Sequence, residues 1–415
     1  MLSINTLSAI IFGLALLHTF SAKSFEALVH RVPKHQGLLH LLGEVEVVFG
    51  FWALVLITLM AVFTSGEQAI EYLESRTYTE PLFVFVVMVV AASKPILDIV
   101  KKLILVMASA LPIDSRLAQV WLSLSMVPLL GSLITEPAAM TLAALILAPL
   151  VFTKQMPEHF KYAALGTLFV NISIGGTLTS YAAPPVLMVA GTWHWDTLFM
   201  ATQFGWKSML AVLINASLFS YFLRKQLGNS SIQKVASTES FAYTVSAIHL
   251  LFLSAVVVFA HHAVIFLAVF MFFLGYTQAY KGYQSPLILK EGLLVGFFLA
   301  GLVVLGGMQQ WWLQPIVSTL KPTELFFGAV ALTAVTDNAA LTYLGSLITD
   351  ISSASQYMLV AGAVAGGGLT IIANAPNPAG AALLKNGFNN ESIGALGLLA
   401  GASLPTVITI IFLLM

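Results

Sequence analysis

Two short stretches hold the residues best suited to chemistry. Thr336 to Thr342 reads TDNAALT and Thr135 to Thr141 reads TEPAAMT, so Thr, an acidic residue, Ala-Ala and Thr recur at matching places 201 positions apart (336 minus 135). Both lie within long apolar runs. An ionisable side chain at the centre of a bilayer costs about 3 kcal/mol on insertion scales, so Glu136 and Asp337 each need a partner, a wet cavity or a proton. A carboxyl group that apolar surroundings push towards its protonated form, and a nearby cation or helix amino end pushes towards its charged form, can trade a proton for a sodium ion. Thr135, Thr336 and Asn338 set neutral oxygens beside the acids. Thr179, Asn374 and Asn377, with broken-helix carbonyls at 179–183 and 371–377, are candidates to complete a shell of hard oxygen ligands.

Composition sets the medium in which these acids must sit. Of 415 residues, 59% are hydrophobic and 9% charged, and mean hydropathy is +0.93, the profile of an all-α polytopic membrane protein. A net charge of zero argues against nucleic-acid binding, and the absence of cysteine excludes disulfides and thiolate metal sites. Leu2 to Phe20 has neither a basic residue before it nor a small-residue cleavage site, and is expected to span rather than act as a signal peptide. Ser21 to His40, with Lys23, Arg31 and Lys34, reads as an interfacial segment. Leu41 to Thr64 is a second span, followed by an acidic loop with Glu67, Glu71, Glu74 and Glu80, and Pro81 to Ser93 opens a third that runs into a charged amphipathic connection. Further spans are expected over Ala201 to Leu223, Thr244 to Ala260, Ala263 to Tyr280, Leu289 to Gly307 and Ile393 to Met415.

The two acidic motifs demand a different element. As one helix, Arg116 to Lys154 would extend roughly 57 Å against a hydrocarbon core of about 30 Å. Folding back at Glu136-Pro137 resolves the mismatch, and non-helical backbone at that depth is tolerable where protein or a wet cavity surrounds it. Leu325 to Ile348 is the second proposed hairpin. Tyr162 to Ala190 and Met358 to Leu384 are crossings interrupted by glycine and proline. Gly175-Gly176-Thr177-Leu178-Thr179 answers Gly366-Gly367-Gly368-Leu369-Thr370 at an offset of 191 (366 minus 175), and Pro185 falls on Pro376 at the same offset. The expected organisation is therefore two inverted-topology repeats, each with a re-entrant hairpin and an interrupted transmembrane helix. They occupy 81–227 and 281–415, after amino-terminal helices at 1–80 and around a linker with connecting helices at 228–280.

Charge supplies an orientation. With the amino end outside, Lys23, Arg31, Lys34, Lys101, Lys102, Arg116, Lys154, Lys161, Arg224, Lys225, Lys234, Lys281 and Lys385 fall inside, and Arg76, Lys207 and Lys321 outside. Thirteen against three is the expected inward bias. It makes the first hairpin enter from the cytoplasm and the second from outside.

The same residues have ordinary structural uses. Glu136 or Asp337 suits the cap of a returning arm, with Pro137 tolerated at a helix start. Asn374 and Asn377 suit the backbone groups freed around Pro376 and Pro378, and the glycine runs suit close helix packing. His261 and His262 read as solvated, and Glu44 and Glu46 as interfacial. Lys94 with Asp98 and Lys290 with Glu291 read as structural charges near span ends, Lys94 being a weaker candidate counter-charge for the site.

Paired tips with interrupted spans resemble the ion-transporter superfamily. TDNAALT is similar to the Asp-Asn hairpin motif of its sodium/proton antiporters, and TEPAAMT resembles the first-half counterpart in a family of bacterial sodium/proton antiporters. The resemblance covers roughly Pro81 to Met415. It implies a homodimer in the bacterial inner membrane, with Asp337 and Asn338 at the ion site, Glu136 as partner acid, and sodium and protons as cargo with no cofactor. Partners are then small inorganic cations and membrane lipid. Glu-Pro in place of Asp-Asn at the first tip departs from the motif and sets the two halves apart. A sodium-coupled carboxylate or sulfate symporter of the same architecture is the alternative, disfavoured because acids at both tips repel an anion. An enzyme finds no support, since neither HExxH nor GxSxG occurs.

Overall fold

The computed structural model describes residues 3–29, 36–227 and 243–415, and these contain helices and connections with no strand. Arg31, Lys34 and the expected linker Gly228 to Ser240, with Lys234, lie outside the described residues. The chain opens with α1 (Ile4–Val29), α2 (Gln36–Gly43), α3 (Val45–Phe63), α4 (Gly66–Glu74), α5 (Thr79–Ala91) and α6 (Lys94–Ala110). Then come α7 (Ser115–Leu124), α8 (Met126–Ile134), α9 (Glu136–Leu147), α10 (Glu158–Gly175), α11 (Pro184–Trp193) and α12 (Thr197–Met200). A π turn at Ala201–Gly205 joins α12 to α13 (Trp206–Leu223), followed by α14 (Tyr243–Val258), α15 (Ala263–Ala279) and α16 (Leu289–Gly306). The last third holds α17 (Gln310–Val317), α18 (Pro322–Thr333), α19 (Asn338–Ser346), α20 (Ser353–Gly366), α21 (Asn377–Leu384) and α22 (Ala395–Leu413).

Among the described residues, the helical stretches 46–63, 197–223, 289–306 and 395–413 are long and apolar enough to cross a bilayer. Two further candidates are bent pairs, α5 with α6 at 62° and α7 with α8 at 43°. With the composition, this makes the chain a multi-pass membrane protein. Two local expectations are corrected. The first helix continues to Val29, past the expected end at Phe20, because nothing between them breaks a helix. The acidic stretch after Thr64 is not a loop: Ser65 accepts a hydrogen bond from the Gln68 amide at 3.1 Å and caps α4. Lys290 pairs with Glu44 across helices at 2.9 Å rather than with its neighbour Glu291, and its exposure makes the pair worth little.

Glycine contacts reveal how the two acidic stretches run. A β-carbon on Gly131 would lie 3.2 Å from that of Ala139, whereas eight steps along a straight helix cover about 12 Å. The chain turns back at Thr135. Asn171 Nδ2 donates to the Leu124 carbonyl at 2.7 Å, Gly175 abuts the Pro128 carbonyl, and Thr179 Oγ1 donates to the Ser132 carbonyl at 2.8 Å. The step is 47 each time (171 minus 124, 175 minus 128, 179 minus 132), so α7–α8 and α10 run parallel in direct contact and α9 returns against both.

The later stretch obeys the same rule. Gly362 abuts the Phe326 carbonyl, Gly366 the Val330 carbonyl, and Thr370 Oγ1 donates to the Ala334 carbonyl at 2.9 Å, a constant step of 36 (362 minus 326, 366 minus 330, 370 minus 334). Accordingly α18 and α20 are parallel and α19 is the return arm. Helices α10 and α20 themselves cross in opposite directions: Gly368 meets Val170, while Ser173 Oγ donates to the Val364 carbonyl at 2.8 Å. Packing is reciprocal across the chain, since α9 lies against α21 and α19 against α11.

Contacts also sort the bundle's ends. Arg76 sits by Gly307, and Lys207 donates to Tyr357, whose hydroxyl donates to the Leu413 carbonyl. At the opposite end Lys161, itself buried, donates to the Gly387 carbonyl and pairs with Glu158, both at 2.6 Å. Arg116 donates to the Leu227 carbonyl at 3.0 Å at that same end.

Candidate functional site

Glu136 is the first helical residue of α9, and its position is set by the residue before it. Thr135 has φ 75° and ψ 151°, a region that costs a β-branched residue about 1–3 kcal/mol. Pro137, lacking an N–H, fits the second helical position, and no side chain caps this helix. Glu136 is 0% exposed. Asn374, in the break between α20 and α21, donates its Nδ2 to Glu136 Oε2 at 2.8 Å, while Oε1 has no protein partner. A β-carbon on Gly176 would lie 2.8 Å from Glu136 Cγ, so only glycine at the break of the first interrupted span leaves room for the carboxyl group.

Three buried asparagines stand at or beside the break from which Asn374 reaches this acid. Asn377 donates Nδ2 to the carbonyls of Gly367 at 2.8 Å and Thr370 at 3.0 Å. That is the backbone-satisfying use expected of it, and it leaves Oδ1 without a partner. Asn374 is likewise pinned through Nδ2 with Oδ1 unpaired. Asn338, fully buried, gives its backbone N–H to the Ala373 carbonyl at 3.1 Å, and neither side-chain polar atom finds a protein partner. Thr135 Oγ1 is buried and unpaired as well. Each unpaired buried polar atom costs about 1–3 kcal/mol. A carboxylate with several neutral oxygens is the donor set that a small hard cation takes, and a proton on Oε1 is the other way to relieve the acid.

The second acid is differently placed. Asp337 is half-buried, and its Oδ1 accepts the amides of Ala339 at 2.8 Å and Ala340 at 3.2 Å, capping α19. No protein hydrogen bond reaches its Oδ2 among the described residues. Thr336 bonds back to the Leu332 carbonyl at 2.9 Å, and buried Thr179 spends its hydroxyl on Ser132. The structure thus joins Glu136 directly to Asn374, ties Asn338 through its backbone and Asn377 through its amide to the same break after α20, and leaves Thr179 in the brace of the first turn.

Ser132 escapes a sequence reading, yet it holds that brace. Its hydroxyl donates to the Gly175 carbonyl at 2.6 Å and accepts from the Leu178 amide at 3.0 Å, tying the first arm to the first break. Buried Asn171 and Asn215 also go unsignalled except as amides in apolar runs. They bond to each other at 2.9 Å and join α10 to α13.

The model of the protein family described as "Putative Na+/H+ antiporter" matches residues 3–415. No curated protein matches the chain.

Proposed function

Because the chain belongs to the Na+/H+ antiporter family that this match defines, we propose that it exchanges sodium, or a similar monovalent cation, for protons by alternating access at Glu136. The observation that carries the reading is the state of this residue: one carboxylate oxygen is held by Asn374 and the other is buried without a partner, while Thr135, its chain neighbour, and Asn374 itself each carry a buried unpaired oxygen. A proton on Oε1 neutralises the group. A sodium ion held by Oε1 and the neighbouring amide and hydroxyl oxygens does the same. One carboxyl group cannot hold both, and this exclusion couples the two fluxes. Asp337, with Oδ2 uncommitted, lies where it would meet an ion leaving or approaching Glu136.

Alternating access in this reading uses the two turned-back elements as re-entrant hairpins of inverted repeats. The antiparallel crossing of α10 and α20 and the reciprocal packing of the return arms support it. Orientation follows from charge: the end carrying Lys161, Arg116 and Arg224 faces the cytoplasm of a bacterial inner membrane and the amino terminus faces outward. The test is exchange in proteoliposomes. Glu136→Gln should abolish sodium-dependent dissipation of a pH gradient while the protein elutes as folded, and Asp337→Asn should impair it. Undiminished exchange by Glu136→Gln would overturn the assignment.

A further inference from the structure

Away from the ion site, a groove of about 340 Å³ opens between the α6–α7 connection, α7 and α13. Leu111, Ile113 and Leu117 make its wall apolar, Trp121 and Tyr221 add aromatic faces, and Arg224 closes its rim. Arg224 lies over the Tyr221 ring at 3.9 Å, which holds its guanidinium at the groove. The next residue, Lys225, is exposed, and at the same end of the bundle Arg116 is held on the Leu227 carbonyl. No carboxylate pairs with Arg224 or Arg116 among the described residues. One lining atom has no use within the chain: Ser220 is 6% exposed, and its hydroxyl finds no hydrogen-bond partner, unlike Ser217, which accepts from Trp121 Nε1 at 2.9 Å.

Apolar walls in a membrane protein call for an acyl chain, the guanidinium of Arg224 at the rim for a phosphate, and a buried unpaired hydroxyl one turn below Arg224 for an ester or glycerol oxygen. We propose that this groove is a binding site for an anionic phospholipid, its phosphodiester on Arg224 at the rim and one acyl chain along Leu117 and Trp121. The aromatic pair marks the depth at which headgroup gives way to hydrocarbon. A zwitterionic lipid would leave the cationic rim without a net counter-charge, so the site discriminates by headgroup charge.

Native mass spectrometry of the full chain, with phosphatidylglycerol or phosphatidylcholine added to the detergent micelle, tests this. The wild-type chain should retain phosphatidylglycerol several-fold more than phosphatidylcholine. Arg224→Gln should lower phosphatidylglycerol retention about fivefold, the equivalent of roughly 1 kcal/mol per basic side chain at a membrane surface, and leave phosphatidylcholine unchanged. Ser220→Leu, which fills the groove with every charge in place, should also release phosphatidylglycerol. Equal retention of the two lipids by the wild-type chain, or full phosphatidylglycerol retention by Arg224→Gln, overturns the site; full retention by Ser220→Leu overturns the groove as the seat of the chain.

Discussion

At the scale of single residues, the two acids of the repeated motif divide their labour. Asp337 caps a helix with one oxygen, whereas Glu136 caps nothing and is held by an amide 238 positions away. Asn374→Ala should therefore cut exchange at least tenfold, because it strips the carboxyl group of its single protein donor; initial rates in proteoliposomes measure this. Thr135 yields a prediction of the opposite sign for stability. Thr135→Gly relieves the positive φ and should raise stability by up to about 1 kcal/mol after the added backbone entropy is offset, read as a higher unfolding midpoint. The same change removes one unpaired oxygen and should weaken apparent sodium affinity. A lower midpoint would show that the strained backbone costs nothing there.

Among elements, the crossing of α10 and α20 leaves no room for a side chain, since one on Gly367 would meet Ser173 Oγ and approach Asn338 Nδ2 to 2.9 Å. Gly367→Val should cost about 1–3 kcal/mol by overpacking and slow exchange in the same variant, read by thermal unfolding and by rate. Much of this level was legible in the chain: glycine and proline marked the breaks that follow α10 and α20, and length called for the turn near Glu136. The Glu136–Asn374 bond was not, because nothing local in TEPAAMT or in the segment around Asn374 specifies a partner across 238 residues. Nor was the burial of Lys161, whose charge suggested solvent but whose ammonium is satisfied by Glu158 and a carbonyl 226 residues on. Acidic side chains after Thr64 suggested a loop for a related reason: polarity reports exposure, and an exposed helix such as α4 is as polar as a loop.

For the whole molecule, the absence of cysteine makes topology directly measurable. Single cysteines at Lys101 or Arg224 should react with impermeant maleimide only from the cytoplasmic side, and those at Arg76 or Lys321 only from outside; the reverse pattern would invert the orientation. The skeleton brings two similar helical arrangements together, but its chemistry is one-sided. Where Asn338 stands in one half, Pro137 stands in the other, and at the 191 offset Asn374 and Asn377 face Ala183 and Val186. A matched pair of substitutions, one in each half, is then not a matched experiment: exchanging Asn374 or Asn377 for an apolar residue should slow transport, whereas at their counterparts Ala183 and Val186 an apolar residue already stands.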